Sequence, residues 1–319
     1  MKTSRLFAAA LLCAGFASVP VVASAADASM SAALADHGLK IEDFPRTHQL
    51  APGVYAYEDT LITPKLAFTT NSLIVVTTDG VVLVDGQDNE ARAASLVNTI
   101  KKLTPLPLKY VVMASDHRDH VGGFPTIKAA WPDAVYISSS ASLKTMQGQN
   151  RPVLATELVD DKRVLTLGGT ELQILNIGRG HTGGDLVVFL PARKVLFMSE
   201  LYYRDIFPST ITGYPSEWLA ALKKAQGMDA TWYIPGHGFA AGTAAELKAD
   251  FAQAVTVMEL IVAEGKRLHP TGAPCPSEKD CPANAQAKWG KFLELTESEI
   301  QAPRALARMY AEIEGRLPK

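Results

Sequence analysis

The sequence predicts an α/β protein with a helical C-terminal extension, and three observations carry that reading. Between about residues 53 and 237, short apolar, β-rich runs alternate with a few helical stretches and are punctuated by glycine. Several of those runs lead straight into segments dense in His, Asp and Gly, at the strand C-termini where α/β folds gather function. From residue 244 onward the periodicity is helical, over 244–268 and again over 298–317, with a Pro- and Cys-containing loop between.

Along the chain, 55–57 and 72–78 read as strands, and Asp79-Gly80 is a hairpin turn into a strand over 81–84. A helix over 90–103 follows. Residues 110–113 form an apolar strand that runs directly into SDHRDHVGG, residues 115–123. A helix near 124–130, a strand over 135–138, a hairpin around Gly168-Gly169 and another with arms 186–190 and 194–198 come next. Pro215 and Ser216 open a helix to about Lys224, and 232–234 is a last strand ending at the Pro-Gly-His-Gly of 235–238. Met258, Leu260, Ile261, Leu306 and Tyr310 would be exposed on isolated helices, so the extension is expected to pack on the core. The predicted units are a leader over 1–25, a core over 26–243 and the extension over 244–319.

Composition excludes several classes. With 47% hydrophobic and 20% charged residues in 319, the chain is neither disordered nor fibrous. Its 31 Lys and Arg against 33 Asp and Glu leave no basic excess to hold a phosphate backbone, so no nucleic-acid partner is expected. Lys2 and Arg5 precede an apolar run over 6–17 and the small residues Ala23, Ser24 and Ala25, the pattern of a cleaved secretory signal. That run is too short to span a bilayer, and no later segment does so. The signal removes two positive charges, leaving 29 basic against 33 acidic residues and a net charge of −4. The expected location is the periplasm. Cys13 leaves with the signal, and Cys275 and Cys281 are an even pair in an oxidising compartment, for which a disulfide is expected; two free thiols are the alternative.

The chemistry concentrates in Ser115-Asp116-His117-Arg118-Asp119-His120-Val121-Gly122-Gly123, where two imidazoles and two carboxylates fall within five positions. On a strand, 117 and 119 would face one side and 120 the other; a turn lets all three face one point, and the glycines permit it. Three more turns after apolar strands carry His181, Glu200 and His237. Four imidazoles and two carboxylates at strand ends are N and O donors of the kind zinc selects. Asp116 reads as a solvated carboxylate. His37, His48 and His269 stand outside these motifs and read as exposed or hydrogen-bonded histidines.

On these residues the sequence resembles the metallo-β-lactamase superfamily over about residues 50–240. The hallmark of that family is an HxHxDH loop followed by glycine, then His, an acidic residue or Cys, and His. His117, Asp119 and His120 match the last three loop positions, and His181, Glu200 and His237 match the downstream ligands in order. NSLIVV and VLVDG, within residues 71–86, resemble the family's opening hairpin. The resemblance implies a four-layer αββα sandwich with the metals at one edge and a hydrolase core. Asp85, next to Gly86, is implied to support the site from behind the ligands.

Two departures set finer expectations. Ser115 stands where the first His belongs, and a neutral hydroxyl is a poor zinc ligand, leaving at most a solvent-mediated contact. One site then keeps His117 and His181 plus solvent, and the other Asp119, His120 and His237; the second is expected to fill first, with the Ser115 side weak or substrate-dependent. Glu200 replaces the usual Asp or Cys and can bridge, ligate directly or swing away. The implied chemistry is hydrolysis, because zinc lowers the pKa of bound water to about 7. Asp119 is the expected catalytic residue, orienting the nucleophile and carrying a proton. Arg118 and Arg204 are candidates to pair with a substrate carboxylate, and Tyr202, Tyr203 and Phe207 to wall the pocket. The leading expectation is an exported zinc β-lactamase acting on a small-molecule substrate. The alternatives are a zinc hydrolase of another ester (lactone, sulfate ester or organophosphate), a metal-binding or redox accessory protein without turnover, and a di-iron centre.

Overall fold

The computed structural model describes residues 34–35, 38–62 and 67–318. The leader over 1–25, with Cys13, and His37 lie outside the described residues.

Alternation along the strands explains the layering. In the run Val81–Val84 all four side chains are buried, with Val82 and Val84 in one apolar cluster and Val81 and Leu83 in another. Successive strand side chains point to opposite faces, so a strand apolar at every position must be covered on both sides. Leu196 and its neighbours Val195 and Phe197 divide in the same way between two clusters. Three apolar interfaces therefore separate four layers.

The first sheet has seven strands in sequential order: β1 (Arg46–Ala51), β2 (Val54–Ile62), β3 (Ala67–Val76), β4 (Val81–Val84), β5 (Leu108–Val112), β6 (Val135–Ser138) and β7 (Glu157–Leu158). The β1–β4 pairings are antiparallel; β4 to β7 run parallel. Its outer face is covered by helices α1 (Glu90–Leu103), α2 (Arg118–Val121), α3 (Phe124–Ala130) and α4 (Ser140–Gly148), with Leu96, Ile100, Phe124, Ile127 and Met146 in the interface. The second sheet comprises β8 (Lys162–Leu167), β9 (Thr170–Leu175), β10 (Val187–Leu190), β11 (Val195–Phe197) and β12 (Trp232–Ile234), ordered β12-β11-β10-β9-β8. Helices α5 (Pro215–Gln226), α6 (Ala244–Leu268) and α7 (Ser298–Ile313) cover it, sharing one cluster that includes Leu196, Trp218, Phe251, Ile261 and Leu306. The expected αββα sandwich is the observed architecture.

Local chemistry fixes the helix ends. The Asn89 side chain accepts from the Arg92 N–H at the start of α1, and Thr243 with Glu246 forms a capping box at the start of α6. The C-terminal helices are part of the second outer layer, with Met258, Ile261, Leu306 and Tyr310 buried as the sequence requires. Cys275 and Cys281 form a disulfide in the loop between them. Among the described residues no helix is long and apolar enough to cross a membrane.

Several elements differ from the sequence reading. β3 stops at Val76 rather than 78, because the Thr77 hydroxyl donates to the Gly80 carbonyl and starts the hairpin turn early. The last helix ends at Ile313 rather than 317. β1, β7 and α4 escaped the reading. β1 is an edge strand with exposed alternate positions, and α4 is built on SASLKTMQG, whose apolar stripe is little more than Met146.

Candidate metal centre

Every predicted ligand lies at the end of an element along one edge of the sandwich. β5 ends at Val112, and the chain turns through Ser115 and Asp116 into α2, with His117 at its N-cap position. That single helical turn aims Asp119 and His120 toward the second sheet's edge. His181 follows β9, Glu200 sits in a 3-10 turn after β11, and His237 follows β12. Two parallel neighbours, β11 and β12, thus deliver Glu200 and His237 side by side.

Two donor groups result. Asp119, His120, Glu200 and His237 form one, and His117, His181 and Glu200 the other, each with its donor atoms within 4.8 Å of one another. Glu200 belongs to both and is 1% exposed. Its Oε1 lies 3.2 Å from His117 Nδ1 and 3.3 Å from His120 Nε2; its Oε2 lies 3.5 Å from His181 Nε2 and 3.4 Å from His237 Nε2. Of the three geometries open to this residue, the structure places it between the groups.

The hydrogen bonds behind the ligands show that the site suits a cation. His120 Nδ1–H donates to Asp85 Oδ2 at 2.8 Å, His181 Nδ1–H to the Ser209 carbonyl at 2.7 Å and His237 Nδ1–H to the Thr69 carbonyl at 3.0 Å. With each Nδ1 carrying the proton, each Nε2 turns a lone pair inward. His120 and His237 Nε2 stand only 3.2 Å apart with carboxylate oxygens beside them. Acceptors so crowded need protons or a metal ion between them. The titration directions agree. Burial opposes the charged form of His117 and His237, yet Glu200 and Asp119 raise both to about 9. Burial, together with the charge on His117, outweighs Glu200 at His181 and lowers it to about 4. Burial works against the Glu200 carboxylate as well, but the imidazoles of His181, His237 and His120 hold it well below the usual carboxylate range.

Asp85 takes the supporting place expected of it. Fully buried and at a positive φ of 61°, it accepts from His120 and, at 2.5 Å, from the Ser199 hydroxyl, while Oδ1 accepts from the Ala114 N–H at 2.9 Å. A non-glycine residue is held in that conformation only where its surroundings determine it. Asp85→Asn is expected to weaken metal binding by about 10–100-fold, measured by chelator competition, since the amide cannot hold the His120 tautomer as the carboxylate does.

The structure corrects three expectations. Asp116 is not solvated: it is 3% exposed, and burial raises its pKa. Tyr202 does not wall a pocket: it is fully buried with its ring against Phe251 at 5.2 Å, because the chain alternates there and sends Tyr203 inward instead. Arg204 is occupied elsewhere, its guanidinium on Asp250 and on the Phe239 and Ala241 carbonyls. Ser115 is fully buried, and its hydroxyl accepts from the His117 N–H at 3.1 Å, bracing the loop. His48 and His269 are hydrogen-bonded to Glu58 and Glu314.

The ligands open into a cavity of about 500 Å³ lined by Arg118, Asp119, Tyr203, Ile206 and Phe207, and also by Glu297, Gln301 and Arg304. The Tyr203 hydroxyl donates to Glu200 Oε2. Sequence reading did not foresee that contact, nor the three residues from α7 and its approach, which lack any local motif.

The family model of the metallo-β-lactamase superfamily matches residues 67–237, more than half of the chain and all of its ligand-bearing turns. The chain belongs to the metallo-β-lactamase superfamily. Among its relatives, the metallo-β-lactamase IND-1 of Chryseobacterium indologenes is 27% identical over 207 residues, 62% of this chain and 84% of that protein. The type 2 metallo-β-lactamase of Bacillus cereus is 25% identical over 179 residues, 54% of this chain and 68% of that one. The metallo-β-lactamase structure from Pontibacter korlensis superposes with a TM-score of 0.60 at 20% identity, covering 67% of this chain and 98% of its own. Such a likeness speaks for the superfamily fold. Ile313, where the last helix of this chain ends, lies well beyond the end of the family match.

Proposed function

We propose that this hydrolase of the metallo-β-lactamase superfamily is an exported zinc enzyme that opens the β-lactam ring. The observation that carries the reading is the pair of donor groups sharing Glu200 in one cavity that Arg118 also lines. Named relatives among metallo-β-lactamases and the leader-like N-terminus support the substrate and the export.

The residues divide the work. His120, His237, Asp119 and Glu200 would hold one zinc, and His117, His181 and Glu200 a second, more weakly, since that group has one donor fewer and Ser115 adds none. Zinc, when bound, supplies hydroxide at neutral pH and polarises a carbonyl. Arg118 is exposed at the cavity wall, where its planar fork can hold the substrate carboxylate. Asp119 takes a proton from the attacking water and passes it toward the ring nitrogen as the C–N bond breaks, so that water is added across that bond. Tyr203 orients Glu200 through its hydroxyl.

Turnover of a penicillin, a cephalosporin and a carbapenem beside a lactone and a phosphotriester, all with added zinc, tests the substrate. Lactam opening with kcat of about 1–10³ s⁻¹ is expected. Turnover of the lactone or phosphotriester alone would establish the other-ester reading, which Ser115 and Glu200 favour by departing from the lactamase pattern. No turnover of any would favour an accessory role.

A further inference from the structure

The last helix does more than cover the second sheet: the segment that opens it lines the same cavity as the ligands. Glu297 precedes α7 at a φ of 64°, a left-handed conformation uncommon for a residue with a side chain, and its side chain makes no capping bond to the backbone of the helix it starts. Its carboxylate lines the cavity instead, together with Gln301 one helical turn later and Arg304. The segment is fixed in place by two backbone bonds to the loop after the ligand turn: the Phe207 N–H donates to the Thr296 carbonyl at 2.9 Å, and the Thr296 N–H to the Asp205 carbonyl at 3.1 Å.

The hydrogen bonding of this wall is incomplete in one direction. The Gln301 Nε2 donates to Glu297 Oε2 at 3.0 Å, which sets the orientation of both side chains. Glu297 Oε1 and Gln301 Oε1 are then left buried without a partner, and Gln301 is only 3% exposed. Arg304, the nearest cation on the helix, faces the Glu278 carboxylate at 3.5 Å. Both orphaned atoms are acceptors, and buried acceptors without donors are rare in native proteins. The same cavity is lined by the apolar Leu61, Phe68, Ile206 and Ile211, and Glu297 lies near enough to His237 to feel its charge.

We propose that Glu297 and Gln301 form a specificity subsite for a protonated amine on the substrate's side arm. An ammonium supplies the donors that both oxygens lack, and its charge would offset the burial that raises the Glu297 pKa, favouring the carboxylate form. The inference rests on the hydrolytic reading of the same cavity, but the test separates the two. In zinc-loaded protein, calorimetry in slightly acidic buffer compares phenylglycinamide with phenylacetamide, which differ by one amino group. The same proteins are assayed on ampicillin and benzylpenicillin, which differ in the same way.

Wild-type protein is expected to prefer the amine by roughly 10-fold to 100-fold in Kd, and Glu297→Gln to lose most of that preference. The kcat/KM ratio of the two penicillins should fall in parallel. Gln301→Leu provides a second variant of similar volume, with melting curves checking that each is folded. No preference in wild-type protein, or one that survives in both variants, overturns the subsite, whatever the turnover. Preference in the binding pair without turnover of either penicillin would leave the subsite standing and count against the lactam.

Discussion

Replacing Asp119 by alanine is expected to lower kcat by about 10²–10⁴-fold while leaving the protein folded. The expectation follows from its position. Asp119 Oδ2 lies 3.2 Å from His237 Nε2 and 3.6 Å from His120 Nε2, yet its side chain remains 19% exposed at the cavity floor, whereas Glu200 is sealed at 1%. It is the carboxylate of its group that both faces a ligand and meets solvent, which is what a group that orients water and moves a proton requires. α2 is a single turn and its packing residue is Val121, so deleting the Asp119 side chain removes little apolar contact. Steady-state kinetics with zinc content measured on the same sample checks it. A variant that keeps its zinc and its rate would remove Asp119 from the mechanism.

Glu200→Ala has a wider expected effect, because one carboxylate serves both donor groups. Its oxygens approach four imidazoles within 3.5 Å and accept from Tyr203. Removing the partner of buried charged groups leaves them uncompensated, at a cost of about 3–5 kcal/mol. Both zinc affinities should therefore fall by about 10²-fold or more, whereas His181→Ala should weaken only the second. Titration against a chromophoric chelator reads the two phases separately. Loss of a single phase in Glu200→Ala would mean that the residue serves one ion alone.

The convergence of the candidate donors was legible in the sequence because each lies in a turn after an apolar strand, where side-chain type and local periodicity together announce a strand-end site. The supporting place of Asp85 was legible only through the resemblance of its hairpin to that of the family. What the sequence concealed depends on which way neighbouring side chains point after the chain leaves regular structure. Tyr202 and Tyr203 are adjacent and chemically alike, yet one packs on Phe251 and the other reaches Glu200, and a 3-10 turn at 199–201 decides between them. Arg204 looked available only because Asp250, its partner, lies on a distant helix. Asp116 looked solvated because nothing local shows the layer that covers it. Glu297 and Gln301 reach the cavity through tertiary packing of a helix some sixty residues beyond the last ligand, for which no spacing rule exists.

The account stands on a divalent cation held where the acceptor atoms converge. Diffraction from crystals of zinc-loaded protein, recorded at the zinc absorption edge, tests this most directly. The strongest anomalous peak is expected among Asp119, His120, Glu200 and His237, with a weaker one between His117, His181 and Glu200. A strongest peak elsewhere on the molecule, with these six side chains bearing none, would contradict it.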